Sequence, residues 1–253
     1  MRRRFIPVLL LDRNRRLVKT VRFGERTYLG DPFNVLRIFN EREVDEICVL
    51  DIDASVDGRD PDVGFIAELA SECFMPLAYG GGIRSREICE QIVRSGVEKL
   101  VLGRGCAQPA LVSALSRDFG AQAIVGCVDV RNSTQGYSCA TPGFENAGRV
   151  DVLEHCLRLQ DSGAGEILLQ SVDNDGTREG YDEALLRRIC PRVSVPVIAL
   201  GGAGRAEHLF DALRFGASAA ASGSAFVFIG RLRAVLITYP DASLLEQTPG
   251  RAP

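Results

Sequence analysis

Residues 76–103 read PLAYGGGIRSREICEQIVRSGVEKLVLG, and 120 positions later residues 196–223 read PVIALGGAGRAEHLFDALRFGASAAASG. Pro76, Gly81, Gly82, Glu87, Arg94, Gly96 and Gly103 return as Pro196, Gly201, Gly202, Glu207, Arg214, Gly216 and Gly223. The register reaches back through Glu46, Ile47 and Asp53, which answer to Glu166, Ile167 and Asp173 without a gap. A repeat this long is not a solenoid unit of about 20 to 50 residues. Each copy alternates short apolar runs with amphipathic stretches, so the chain reads as one half used twice to close a single fold.

Working outward, buried parallel strands are expected near 5–11, 47–52, 75–78, 99–102, 123–128, 167–169, 197–200 and 219–222, where β-branched and other apolar residues run together. Helices are expected near 32–41, 61–73, 86–95, 109–119, 150–162, 183–189, 206–215 and 232–238. Asp31 and Ser85 are placed to cap helices, and Gly96, Gly163 and Gly216 to end them. Eight strand and helix pairs with a halfway repeat define an α/β chain, a single (β/α)8 TIM barrel over residues 1–253. The half-barrels run from about 1 to 122 and from 123 to 245, with a short tail at 246–253.

Charge and composition narrow the function classes. A net charge of −3 with a pI near 5.6 gives no basic field for nucleic acid or an anionic membrane. The start, Met1-Arg2-Arg3-Arg4-Phe5-Ile6-Pro7-Val8, has the charge order of a signal peptide but a short apolar run containing Pro7, and reads instead as a strand of a cytoplasmic protein. The eight cysteines form no Cys-x-x-Cys pair, and Cys48 and Cys127 lie in apolar runs. Buried thiols are expected, with no metal site and no cofactor. His155 and His208 fall in helical patterns and read as surface residues rather than general bases.

In a barrel of this kind the chemistry lies in the loops after the strands. Tyr79-Gly80-Gly81-Gly82-Ile83-Arg84-Ser85 and Leu200-Gly201-Gly202-Ala203-Gly204-Arg205 each lead from a strand into a helix. Glycines there let backbone amides and a helix N-terminus approach an anion. The next strands end in Gly103-Arg104 and Ser222-Gly223-Ser224, which add amides, hydroxyls and a guanidinium, and Ser171 and Gly176 flank the loop between. Two copies on opposite sides of one mouth suit a ligand anionic at both ends. Asp129 closes the fifth strand and Asp175 lies after the sixth; with Lys19 and Asp12 they are the candidates for proton transfer.

Glu46-Ile47 with Leu50-Asp51-Ile52, Gly80 to Ser85, Gly165-Glu166-Ile167-Leu168-Leu169, Asp175-Gly176-Thr177, Gly180-Tyr181-Asp182 and Gly201 to Gly204 together resemble the cyclase subunit of imidazole glycerol phosphate synthase, over nearly the whole chain. The resemblance implies a (β/α)8 barrel with a glutaminase docked on its floor and ammonia passing through to the mouth. It also implies a tunnel entrance ringed by two basic and two acidic residues, matched here by Arg4, Glu46, Lys99 and Glu166. Charged residues at the starts of four strands would on their own read as a stabilising ring.

The departures from that family concern the chemistry. Its first acid/base aspartate is replaced by Leu10, which moves no proton; Asp12, two residues on, shares the face but is displaced by about 6.6 Å. The second aspartate is matched by Asp129. Gly103 stands for a phosphate-site asparagine, Arg104 for a small hydroxyl residue, and residues 133–148 differ from the family's covering loop. The segments 6–11, 17–23, 28–32 and 39–46 resemble the branch associated with acetamidino modification of bacterial surface sugars. There a glutaminase, the barrel and a third amidotransferase-like protein act on a nucleotide-linked sugar. The alternatives are the histidine-pathway cyclase with Asp12 displaced toward Asp129, a non-catalytic ammonia conduit, and a partner-independent sugar-phosphate isomerase.

Overall fold

The structure, a computed structural model, describes residues 3–140, 149–229 and 234–240. In chain order it comprises β1 (Arg4–Leu11), β2 (Leu17–Thr20), β3 (Arg26–Gly30), α1 (Pro32–Glu41), β4 (Ile47–Asp51), α2 (Ala54–Asp57), α3 (Val63–Ser71), β5 (Leu77–Gly80), α4 (Arg86–Arg94) and β6 (Lys99–Leu102). The second half comprises α5 (Pro109–Phe119), β7 (Ile124–Ser133), β8 (Gly136–Cys139), α6 (Val152–Asp161), β9 (Glu166–Ser171), α7 (Glu183–Ile189), β10 (Val197–Leu200), α8 (Ala206–Arg214) and β11 (Ala219–Ser222). Parallel pairing runs β1-β4-β5-β6-β7-β9-β10-β11, and β11 returns to β1 to close the barrel. The expected TIM barrel is therefore present.

Side-chain alternation sorts these strands into two cores. On β1, Ile6 and Val8 point into the barrel, while Phe5, Leu9 and Leu11 point out to the helix layer. Pro7 is tolerated because it lies at the last position paired with β11, beyond which β1 pairs with β4 from Val8 onward. Asp31 caps α1 by accepting from the amides of Phe33 and Asn34, and Ser85 caps α4. Gly96, Gly163 and Gly216 follow their helices with φ of 103°, 98° and 106°, the left-handed region that glycine enters at little cost.

Four expectations need correction. No helix forms over 234–238: Ala234–Val235 pairs as a short strand (β13) with Phe228–Ile229 (β12), and the Leu236 and Thr238 amides donate to Val227 and Phe226. β-branched Val235, Ile237 and Thr238 followed by Tyr239-Pro240 favour extended backbone; residues 232 and 233 lie outside the described residues, as do 141–148 of the fifth loop and the tail. The strand expected at 75–78 runs instead from Leu77, because Pro76 has no N–H to pair and its carbonyl accepts from Ile47. The two histidines are buried rather than on the surface, at 2% and 7% exposure. His155 faces inward with Val152, Cys156 and Leu159, where burial lowers its pKa to about 4; His208 Nδ1 accepts from the Gly204 amide. The antiparallel hairpin β2–β3 beside the mouth was not anticipated, nor was the extension of β7 paired with β8.

All eight cysteines are free thiols, five of them buried. Among the described residues, no helix is long and apolar enough to cross a membrane.

Candidate functional site

Residues two apart on a strand share a face, so the barrel interior is built of columns rising from floor to mouth. Glu46 and Cys48 with Leu50, Val125 with Cys127 and Asp129, and Glu166 with Leu168 and Gln170 are three of them. Each column begins or ends in a polar group, and its middle is aliphatic or thiol.

At the floor the four predicted charges meet. Arg4 Nη1 lies 3.2 Å from Glu46 Oε2 and 2.9 Å from Glu166 Oε1. Lys99 Nζ lies 2.7 Å from Glu46 Oε2 and 3.2 Å from Glu166 Oε2. Cation and anion alternate around a closed four-membered ring, which crosses the start of the interior column. Burial raises the Glu46 pKa, while the Lys99 and Arg4 charges oppose the shift. Just above the ring a cavity of about 10 Å³ is lined by Glu46, Cys48, Val101, Leu168 and Ala221 among others.

At the mouth, Asp129 is buried and lines a cavity of about 290 Å³ with Leu10, Thr20, Asp51, Arg104 and Gln170. Burial raises its pKa to about 6; the Cys127 thiol and Arg131 pull it down, and the Asp175 charge pushes it up. A carboxyl with that affinity exchanges a proton near neutral pH. Asp175, also raised by burial, accepts from the Thr20 hydroxyl at 2.7 Å. Lys19 is buried, donates to the Val8 carbonyl at 2.8 Å, and is lowered by burial to about 7 with Asp175 opposing.

The two glycine turns have diverged in their surroundings. Gly202, Gly223, Ser224, Gly176 and Lys19 line one small pocket together. Lys19 leaves no space at Gly223, where a Cβ would stand 2.6 Å from its Nζ. Gly81, Gly82, Gly103 and Arg104 instead border the large cavity, whose wall also holds Phe23, Ile52 and Val56. Positive φ of 119° and 70° at Gly81 and Gly82, and of 97° and 110° at Gly201 and Gly202, turns the chain over the strand below in both halves. Sulfate, whose charge is constant near neutrality, should bind the pocket of Gly202 and Lys19 and weaken about tenfold per pH unit above pH 7, as the ammonium proton is lost. Titration calorimetry on Lys19→Met should find weak binding with no such slope.

Not every expected site residue reaches the mouth. Asp12 is held in its own turn, accepting from the Asn14 and Arg16 amides and from the Arg16 guanidinium at 2.7 Å. Burial raises its pKa, but the Arg16 contacts more than offset this and leave it lowered. The strand does not bulge Asp12 back toward Asp129, so Leu10 alone occupies the β1 position on the cavity wall. The Ser171 hydroxyl donates to Asn174 beneath the Gly201 turn, and Ser222 Oγ accepts from the Ser224 and Ala225 amides while donating to Ala203.

Other contributors were missed. Gln170 and Thr20 line both mouth pockets; strand parity from Glu166 would have found Gln170. The hairpin over the mouth turns at Arg22 and Phe23, with φ of 52° and 60°, and the Gly24 amide donates to Val21 at 2.8 Å. This is a type I′ turn without glycine at its centre, strained, and held by the Arg22 amide donating to Asp175 and by Arg22 Nε donating to Asp173.

The turn end of the hairpin is clamped by Arg26, whose Nη1 and Nη2 donate to buried Asp53 at 2.7 and 2.6 Å. Those bonds, against the opposing effect of burial, hold the Asp53 carboxyl near 2. A depressed carboxylate stabilises above its unfolded value of 3.8 and loses that contribution as pH falls toward 2. Hydrogen exchange in residues 17–30 should accelerate across that window, and Asp53→Asn should show fast exchange already at neutral pH.

A floor ring, an aliphatic interior and a mouth that holds a buried carboxylate and a buried lysine beside a glycine turn are stacked along the axis of one (β/α)8 barrel. The chain belongs to the Histidine biosynthesis protein family, which it matches over residues 4–232, and within it to the HisF-like imidazole glycerol phosphate synthase subunits. It is 47% identical over 97% of its length to a Pseudomonas aeruginosa protein provisionally named imidazole glycerol phosphate synthase subunit hisF2, covering 99% of that chain. It is 44% identical, covering 96% of this chain and 95% of the other, to a Vibrio vulnificus protein provisionally named as subunit hisF3. The imidazole glycerol phosphate synthase subunit HisF of Corynebacterium glutamicum is 40% identical, with 89% and 90% covered.

Proposed function

We propose that this chain is the ammonia-using half of a glutamine-dependent amidotransferase. A glutaminase partner seats on the floor, and ammonia released there passes the ring of Arg4, Glu46, Lys99 and Glu166 into the barrel. At the mouth it converts an acetamido group of a nucleotide-linked sugar to an acetamidino group for a surface polysaccharide such as O-antigen. The observation that carries this reading is the pairing of a complete floor ring with Leu10 on the mouth wall across from Asp129. The ring suits entry of ammonia at the floor, while the β1 carboxylate that the cyclase would pair with Asp129 is replaced by Leu10.

Free ammonia needs such a route because ammonium has no lone pair to attack a carbon. The dry interior favours the neutral form, as it favours any uncharged group. At the mouth, once a nucleoside triphosphate has phosphorylated the acetamido oxygen, the nitrogen lone pair attacks that carbon, the oxygen departs as inorganic phosphate, and Asp129 accepts the proton the nitrogen sheds.

The reading is tested by assembling the chain with its glutaminase and the third amidotransferase-like protein. Glutamine or ammonium is supplied together with a nucleoside triphosphate, with a panel of nucleotide-linked N-acetyl sugars as acceptors. Glutamine should support amidination only when the glutaminase is present, and the chain should fail to restore growth without histidine to a cyclase-deficient strain. Restored growth would establish the cyclase reading instead.

A further inference from the structure

The interior cluster between ring and mouth is aliphatic apart from two thiols, Cys48 and Cys127. Each stands in the middle of its column, Cys48 two residues above Glu46 and Cys127 two residues below Asp129. Cys48, 4% exposed, lines the 10 Å³ cavity that Glu46 also lines, a volume that admits one water-sized molecule. Cys127 lines the base of the 290 Å³ mouth cavity, and its Sγ donates to Asp129 Oδ1 at 3.7 Å. Val101 is a wall of both cavities, so a single side chain's thickness separates them.

We infer that Cys48 and Cys127 are the polar steps by which ammonia crosses the barrel, Cys48 receiving it from the floor ring and Cys127 delivering it beside Asp129. This rests on the ammonia-delivery reading and adds which atoms carry the molecule. An S–H is a weak donor that can point at the ammonia lone pair, and a soft one that releases its guest easily. It must also keep its proton, since ammonia is basic enough to take one from an ordinary thiol and would then be trapped as ammonium. Both thiols are held against ionisation: Cys48 by burial and then by the Glu46 charge, Cys127 by burial and then by the Asp129 charge. A carboxylic acid at either position would protonate the cargo, and an all-aliphatic wall would offer it no partner.

The test uses the three-protein assembly with a nucleoside triphosphate and the nucleotide-linked N-acetyl sugar that it amidinates, and compares C48A/C127A with C48S/C127S. The alanine pair removes the donors while widening the path, and the serine pair keeps a donor of similar size. Product formed per glutamine hydrolysed should fall about threefold or more in the alanine pair, the scale of losing weak hydrogen bonds. It should stay at the wild-type ratio in the serine pair, and in Cys48→Ala alone, which leaves the mouth and Asp129 untouched, ammonium-driven product should be unchanged. An alanine pair that keeps the wild-type ratio overturns the inference, as does a Cys48→Ala variant that loses ammonium-driven product as much as glutamine-driven product. Wild-type protein that yields no product from glutamine would instead remove the ammonia-delivery reading itself, and the thiol steps with it.

Discussion

Asp129→Asn is expected to lower amidinated product about 100-fold or more, with glutamine or ammonium as nitrogen source, while the bound glutaminase keeps its turnover. The substitution preserves shape and removes only the ability to take a proton. Burial sets that ability near pH 6, with Cys127 and Arg131 on its own strand and Asp175 across the mouth adjusting it. Leu10 leaves no carboxylate on β1 to substitute for it, and Asp12 is engaged with Arg16. Product formation that survives Asp129→Asn would identify the barrel as a conduit, with the chemistry in the third protein.

Glu46→Ala is expected to act at the opposite end. It removes one corner of the floor ring and leaves Arg4 and Lys99 sharing Glu166. Removing one partner from a fully buried pair costs about 3–5 kcal/mol; with Arg4 and Lys99 partly open to solvent, about 2–3 kcal/mol is expected in denaturant unfolding. The ratio of product to glutamine hydrolysed should fall as well, because the gap at the floor lets ammonia escape and water enter. Ammonium-driven product should persist, since that nitrogen does not cross the ring. A variant that is destabilised but still fully coupled would assign the ring a structural role alone.

The sequence-level reading was strongest where the physics was local and repeated. The capping residues Asp31 and Ser85 and the helix-ending glycines each act within a few residues, and each is in place. The floor ring was legible by matching residue types and strand starts, although only the closed barrel brings residues 4, 46, 99 and 166 within bonding distance. Most of what failed depended on contacts remote in sequence. The hairpin at Leu17–Gly30 is stabilised by Asp53, Asp173 and Asp175, none of which its own residues reveal. Asp12 had the right parity to face the mouth, but the tight turn that follows it, ending at Arg16 four residues on, captured its carboxylate first. His155 and His208 were misplaced because a polar residue on a helix face is outward by default, and only packing shows it turned in. Cys127 was read as a buried thiol, which it is; its contact with Asp129 needed the strand's geometry.

Ammonia channelling is tested most directly by isotope competition in the assembled complex. Glutamine labelled with ¹⁵N at the amide is supplied together with excess unlabelled ammonium, and the amidine nitrogen of the product is analysed by mass spectrometry. Passage through the ring and barrel predicts product that carries predominantly ¹⁵N. Product labelled only at the ratio of the bulk ammonia pool would show that the nitrogen had left the protein before it was used, and would contradict delivery through the barrel.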